Sequence, residues 1–424
     1  MTCINCRNIR LVKIVNLEKQ AISSLFYSKP KKNLKLYPLD LYKCEKCNLV
    51  QLKKLAPLKN MYGSTYGYRT SLSQLMIDHM KEKFQIILNK KIISKKTDNI
   101  LDIGCNDGTF LNFFAKKNYK NLYGIDPSAG KFNSYYSKHI KLEVDFFSRI
   151  KIEKRFGNKK FKLITSFAMF YDISDPNSFC KDIYELLDKD GIWILEFSYW
   201  PMLIENLTYD QICHEHIAYY SLNVFKKIVE KNNLKIINLR FNEINGGSIE
   251  IICSKKQSKH KEKKQKIDQQ LNLERKINKT TYKNLNIRIR NTAKNLLEFL
   301  ELIKKSRKKI IGYGASTKGN IILNQIKANS RLISYIADAN IEKINKFTPG
   351  TNIKIIAKEE MRKMKPDYLL VLIWSFRKEI INQEINYINN GGKLIFHLPI
   401  FHIVDRTNFK TYLNSDFSAY SNKI

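Results

Sequence analysis

Two stretches of the chain share one build: an apolar run, a glycine-bearing turn, then a run with apolar residues at helical spacing. The first is "NILDIGCNDGTFLNFFAKK", from Asn99, and the second is "KKIIGYGASTKGNIILNQI", from Lys308. A strand that feeds a helix in this way opens a crossover to a parallel neighbour, so each stretch predicts the start of its own α/β sheet. Strand candidates follow both turns in alternation with helical stretches. After the first come "NLYGID", "FKLITSFAMF" and "GIWILEF", and after the second "LISYIADAN", "DYLLVLIWSF" and "GKLIFHLPI". "LKIINLRFNEINGGSIEIIC" reads as two strands closing the first unit. Ser254 to Lys305 holds neither Gly nor Pro and is rich in charge. It reads as a solvated helical connector.

Ahead of both units stand "CINC" and "CEKC", separated by 37 residues. Two knuckles, each offering a pair of thiolates, suit a tetrahedral zinc held by Cys3, Cys6, Cys44 and Cys47. Four thiolates leave no open position, so the role expected is structural. The other four cysteines are scattered singly, which argues against a disulfide framework.

In the first turn, Gly104 and Gly108 follow the strand in GxxxG spacing, and the full GxGxxG is absent. Asp126 ends the next strand, in "YGIDPSA". Glycines let the backbone approach a ligand, and an acid at the next strand end can accept hydrogen bonds from ribose hydroxyls. This "hhDIGxxxG…D" pattern resembles the class I S-adenosylmethionine-dependent methyltransferases. The resemblance implies a donor pocket of Asp102, Gly104, Asn106 and Gly108, with Asp102 at the methionine end. It places Asp126 at the ribose and Asp145, in "LEVDFF", at the adenine.

A wider ordered set runs through most of the chain: the paired CxxC, "LDIGCNDGTFL", "YDQICHEHIAYYSL", "NGGSIEI" and "GYGASTKGN". Together these resemble the sugar C-methyltransferases that act on nucleotide-linked keto-deoxysugars. The resemblance implies an α/β architecture with a zinc-binding domain at residues 1–60 and a class I, Rossmann-like methyltransferase domain at 61–253. A charged helical connector at 254–306 and a C-terminal Rossmann-like domain for the substrate nucleotide at 307–424 complete it. The implied reaction removes a proton next to a sugar ketone, and the resulting enolate takes the methyl of S-adenosylmethionine. A carbon acid this weak needs a positioned base and a donor for the developing oxygen charge. His216 is the expected base, with Glu215 orienting it or assisting proton transfer. Tyr66 and Tyr68, in "STYGYRTS", are candidate donors to the substrate oxygen. In an extended segment His214 and His216 would share a face, with Glu215 opposite.

Two letters depart from the family pattern. Cys213 stands where the family commonly has Tyr, and Asp172, in "YDISDP", where it commonly has His. Both are expected to border the substrate. In the second turn, Gly312, Gly314, Ser316 and Lys318 are assigned to the substrate diphosphate, because backbone N–H groups at a helix N-terminus suit phosphate.

The formal net charge of +36 would also suit a polyanionic partner. The excess is mainly Lys, accompanied by abundant Asn and Ile, so A/T-rich coding explains it better than nucleic-acid binding does. No apolar run approaches the ~20 residues that span a membrane, and no signal peptide is evident, so a cytoplasmic enzyme is expected. Oligomeric state is open, with a monomer compatible. O- or N-methylation of a related sugar, an RNA-binding methyltransferase, and a scaffold without catalysis are the competing readings.

Overall fold

The computed structural model describes residues 2–57, 61 and 68–416. Seventeen strands form three sheets. Strands β1 (Leu11–Gln20), β2 (Tyr37–Cys44) and β3 (Val50–Leu52) make an antiparallel sheet near the N-terminus. The central sheet contains β4 (Ile100–Ile103), β5 (Leu122–Ile125), β6 (Lys141–Glu143), β7 (Phe161–Phe167) and β8 (Leu187–Ser198). The short β9 (Ala218–Tyr219) leaves that sequence region and completes the N-terminal sheet, in the order β1-β2-β3-β9. Strands β10 (Leu234–Asn242) and β11 (Ser248–Lys255) return to the central sheet.

The central order is β10-β11-β8-β7-β4-β5-β6. Strands β4 to β8 are mutually parallel, and β11 runs antiparallel between β8 and β10. Strand β4 has β5 on one side and β7 on the other. The chain order reverses there, so the ends of β4 and β7 open the crevice where such sheets take their ligands. The third sheet contains β12 (Ile310–Tyr313), β13 (Ile336–Asp338), β14 (Ile355–Ala357), β15 (Tyr368–Val371), β16 (Lys393–Phe396) and β17 (His402–Val404). Its order is β14-β13-β12-β15-β16-β17, parallel except for β17. Both α/β units are thus doubly wound, as the two glycine turns predict.

The connector is more than a solvated link. The helix Lys279–Lys305 buries Leu285, Ile289, Ala293, Leu296, Leu300 and Ile303. Their spacing of three and four residues draws one apolar stripe along the helix. That stripe joins the core formed by Ile14, Val15 and Leu17 of β1 with Ile310 and Ile311 of β12. Asn278 and Thr281 close the helix start with a reciprocal capping box. The charged outer face dominates its composition, which hides the stripe from a compositional reading. Upstream lies the α-helix Gln74–Asn89. Ser73 caps it by accepting from the Met76 N–H.

Candidate active site

The donor turn leaves β4 and is clasped by the end of β5. The Asn106 backbone N–H donates to Asp126 Oδ2 at 3.0 Å, and Ser128 donates through N–H and Oγ to Oδ1, both at 2.6 Å. Gly108 has φ +75°, and a Cβ there would lie 2.6 Å from the Tyr136 ring, so only glycine fits this corner. Asp102 is buried and accepts from Thr165 Oγ1 at 2.7 Å. Burial pushes its carboxyl up to about 7. Burial also raises Asp126, against the hydrogen bonds from Ser128 and Asn106. Asp145 lies beyond the end of β6, half-exposed, with its carboxylate 2.7 Å from Lys151 Nζ.

Residues 68–73 lie across this turn. Asn106 Oδ1 accepts from the Thr70 N–H at 2.9 Å, and Asp107 Oδ2 accepts from the Ser71 N–H at 2.9 Å. Asn106 Nδ2 donates to the Tyr68 carbonyl at 3.3 Å. The Tyr68 hydroxyl has Thr70 and Asp107 as neighbours, which ties it to the donor turn. Tyr66 lies outside the described residues.

The segment 209–216 runs at the meeting of all three sheets. Residues 214 and 215 form a bend, so strand alternation does not hold and His214 and His216 face different ways. His214 turns to the N-terminal sheet, its ring edge-on to Tyr37 at 6.1 Å between centroids. Glu215 lies beside Ser24 and Cys213, and its burial raises the carboxyl pKa. His216 packs against the Tyr171 ring at 4.0 Å between centroids. Burial, reinforced by the Lys318 charge, lowers its pKa to about 3, so the imidazole is neutral and able to accept a proton. A short path joins it to the donor turn: Met169 lies against Gly104, and Tyr171 follows two residues later. Cys213 feels both Glu215 and Asp172, so the two departures from the family pattern fall in one neighbourhood.

The second turn, assigned by sequence to a diphosphate, engages its residues within the protein. Ser316 Oγ caps the following helix by accepting from the Gly319 N–H at 2.9 Å. A Cβ on Gly312 would strike Ile336, and one on Gly314 would strike Ile373, so side chains pack closely over both glycines. Lys318 turns towards the central sheet and donates to Asn245 Oδ1 at 2.7 Å. Its electrostatic neighbours are Asp210 and Cys213. Asp210 in turn accepts from Trp374 Nε1 at 2.8 Å, and burial raises its carboxyl to about 6. Tyr209 Oη lies 2.6 Å from His397 Nε2. The C-terminal sheet therefore grips the histidine segment directly, through Trp374, His397 and Lys318.

A further polar cluster carries no sequence motif. Lys83 Nζ donates to Glu196 Oε2 and Glu250 Oε2, both at 2.6 Å, and His79 Nε2 lies 2.8 Å from Glu196 Oε1. Arg240 pairs bidentately with Glu250 at 2.7 Å. Burial opposes the charged forms, but the pairing wins: Lys83 is held above its usual range, and Glu196 and Glu250 below theirs. The available signals were a lone acid inside "GIWILEF" and the i, i+4 spacing of His79 and Lys83 on a helix.

At the N-terminus, the Sγ atoms of Cys3, Cys6, Cys44 and Cys47 all lie within 4.8 Å of one another. Zinc–sulfur bonds of about 2.3 Å require a cluster this tight. The knuckles match: Arg7 and Asn48, each just after a second cysteine, have φ of +60° and +64°. The donor set and its spacing therefore fit zinc. Arg7 reaches Asp175 at 3.3 Å, and Asn177 Nδ2 donates to the Asn5 carbonyl at 3.0 Å, so the knuckle holds the loop that carries Asp172.

A doubly wound sheet whose glycine turn is clasped by an acidic strand end is a Rossmann-like nucleotide site, and the comparisons identify its class as that of the S-adenosylmethionine-dependent methyltransferases. Three family models cover the chain in order. They are "Putative zinc binding domain" over residues 3–62, "Methyltransferase domain" over 76–239, and "C-methyltransferase C-terminal domain" over 243–399. The three domains in this order resemble those of a C-methyltransferase. It is 26% identical to C-methyltransferase NovU of Streptomyces niveus over 368 residues, covering 86% of this chain and 87% of that protein. A tRNA U34 carboxymethyltransferase of Sulfurimonas denitrificans is 32% identical over 116 residues, covering 26% of this chain and 38% of that protein. A solved S-adenosylmethionine-dependent methyltransferase from Clostridium acetobutylicum aligns at 14% identity and a TM-score of 0.32, covering 41% of this chain and 89% of that one. No helix among the described residues is long and apolar enough to cross a membrane.

Proposed function

We propose that this enzyme methylates a carbon next to the ketone of a nucleotide-linked keto-deoxysugar, with His216 as the base. The observation that carries the reading is the placement of His216: a buried, neutral imidazole next to Tyr171, two residues from Met169, which lies against Gly104 of the donor turn. Bound S-adenosylmethionine supplies an electrophilic methyl group on a sulfonium. Asp126 would hold its ribose, Asp102 and the Gly104–Gly108 turn its methionine end, and Asp145 its adenine. His216 takes the proton from the carbon next to the ketone. Its low basicity in the buried site rises as negative charge forms beside it, because an opposite charge within a few ångströms favours the imidazolium. Glu215, beside Ser24 and Cys213, assists by its field. His214 belongs to the N-terminal sheet and stays outside the proton path.

The test is solvent-deuterium wash-in at that carbon, in the absence of donor, over a panel of nucleotide-diphosphate 4-keto-deoxysugars. Wild-type enzyme is expected to exchange at least one substrate, and His216→Ala to lower that rate by roughly 100-fold or more. Exchange at the wild-type rate in His216→Ala would remove His216 as the base. Methyl transfer to oxygen or nitrogen without any exchange would replace the enolate reading.

A further inference from the structure

Lys318 belongs by sequence to the C-terminal turn, yet its side chain ends on Asn245, beside the histidine segment. It occupies the second position of the helix Thr317–Gln325 and is partly accessible. Its ammonium donates to Asn245 Oδ1 at 2.7 Å. Asn245 is itself fixed: φ is +58°, and its carbonyl accepts from Gln211 Nε2. The adjacent Gly246 carbonyl accepts from Asn206 Nδ2 at 2.9 Å. An ammonium has three N–H donors. Among the described residues only the bond to Asn245 is made, so further donors remain at the place where Asp210, Cys213 and His216 converge.

The other groups there are poor donors to a developing oxyanion. Burial and the nearby carboxyls hold Cys213 as a neutral thiol, a weak hydrogen-bond donor. The Tyr219 hydroxyl already donates to the Gln211 carbonyl at 3.3 Å. Asp210 is occupied with Trp374 through Oδ2. A fixed cation beside a base is what an enolising site requires, since charge develops on the ketone oxygen as the proton leaves.

We propose that Lys318, delivered by the C-terminal sheet, is the catalytic cation that stabilises the substrate oxyanion formed when His216 removes the carbon-bound proton. This rests on the keto-sugar reading above. The C–H electron pair becomes the C=C bond, and the carbonyl π pair moves to oxygen, where the Lys318 N–H bonds hold it. As the carbonyl re-forms, the carbon's pair makes the new C–CH3 bond and the S–CH3 pair returns to sulfur. Lys318 keeps its protons throughout, and His216 releases its proton to solvent.

Kinetics of Lys318→Met and Lys318→Arg separate this role from diphosphate binding. Both variants would be run on the same 4-keto-deoxysugar panel, with folding checked by thermal melts and donor binding by calorimetry. Lys318→Met is expected to lose about 100- to 1,000-fold in kcat and in deuterium wash-in, with KM and S-adenosylmethionine affinity within a few fold of wild type. The wild-type rate should fall at alkaline pH, where the ammonium loses its proton; Lys318→Arg should move that limb upward out of range while regaining part of the rate. Added methylammonium should partly rescue Lys318→Met. A rise in KM with kcat and wash-in retained would overturn the proposal and return Lys318 to the diphosphate. Unchanged kinetics would also overturn it. If wild-type enzyme neither exchanges nor methylates any panel member, the keto-sugar reading itself falls, a result distinct from an active wild type with an indifferent Lys318 variant.

Discussion

Lys83 shows how much one side chain can hold together. Its ammonium sits 3% exposed between two buried carboxylates, each 2.6 Å away, on three different elements of the central unit. Removing one partner of a buried pair leaves the others charged and dry, which costs about 3–5 kcal/mol. Lys83→Met is expected to destabilise the protein by about that amount in urea unfolding. Adding Glu196→Gln should recover part of the loss, because the stranded charge is then gone. Additive losses would show that the cluster is not electrostatically coupled. At this scale the sequence was most informative where local chemistry fixes a residue's job. Gly108, Asp126 and the four cysteines sit where their spacing places them. It was least informative where a side chain reaches across the fold. Lys318 reads as part of a phosphate turn because its neighbours in sequence are glycines, yet its partner Asn245 is 73 residues away. Bends defeat period-2 reasoning in the same way: the bend at 214–215 sends His214 to Tyr37 of β2 and His216 to Tyr171 beyond β7.

Among the elements, the zinc knuckles show how local order is passed on. Cys6 is followed by Arg7, which pairs with Asp175, and Asn5 takes two hydrogen bonds from Asn177, at its carbonyl and at Oδ1, both 3.0 Å. The metal thus braces the start of the helix Pro176–Leu186 and the loop that carries Asp172. Chelation of zinc is expected to raise hydrogen exchange in residues 170–176 and 214–220 while leaving β4 and β5 protected. S-adenosylmethionine affinity should change little. Loss of protection confined to residues 2–57 would show that the knuckle acts on its own sheet alone. The helix Lys279–Lys305 shows the opposite case of legibility. Its helical nature was plain from the absence of Gly and Pro, but its burial was not. A stripe of six small or aliphatic residues is diluted by charge on the remaining positions.

Across the whole molecule, the histidine segment is a shared possession of three sheets. Tyr209 and His397 join two of them in a buried pair, and burial lowers His397 to about 3. Its folded pKa is depressed, so its stabilising effect is present above the unfolded value near 6.5 and is lost as pH falls towards 3. His397→Gln is expected to be less stable than wild type at pH 7.5. Below pH 6.5 the difference should narrow by up to about 1.4 kcal/mol per pH unit, because only the wild-type unfolded chain gains the proton. A difference that stays constant from pH 7.5 to 4.5 would show that His397 is not held neutral. Two doubly wound sheets were legible from two glycine turns. How they dock was not, since no local pattern records a contact such as Asp210 to Trp374, 164 residues apart.

The placement of β9 also sets a timetable for biosynthesis. The N-terminal sheet is complete only when Ala218 and Tyr219 pair with Gln51 and Val50. A ribosome must therefore translate past residue 219 before the first domain can finish folding. The last strand to arrive begins two residues after His216, so closing the oldest part of the nascent chain and setting the histidine segment are one folding event.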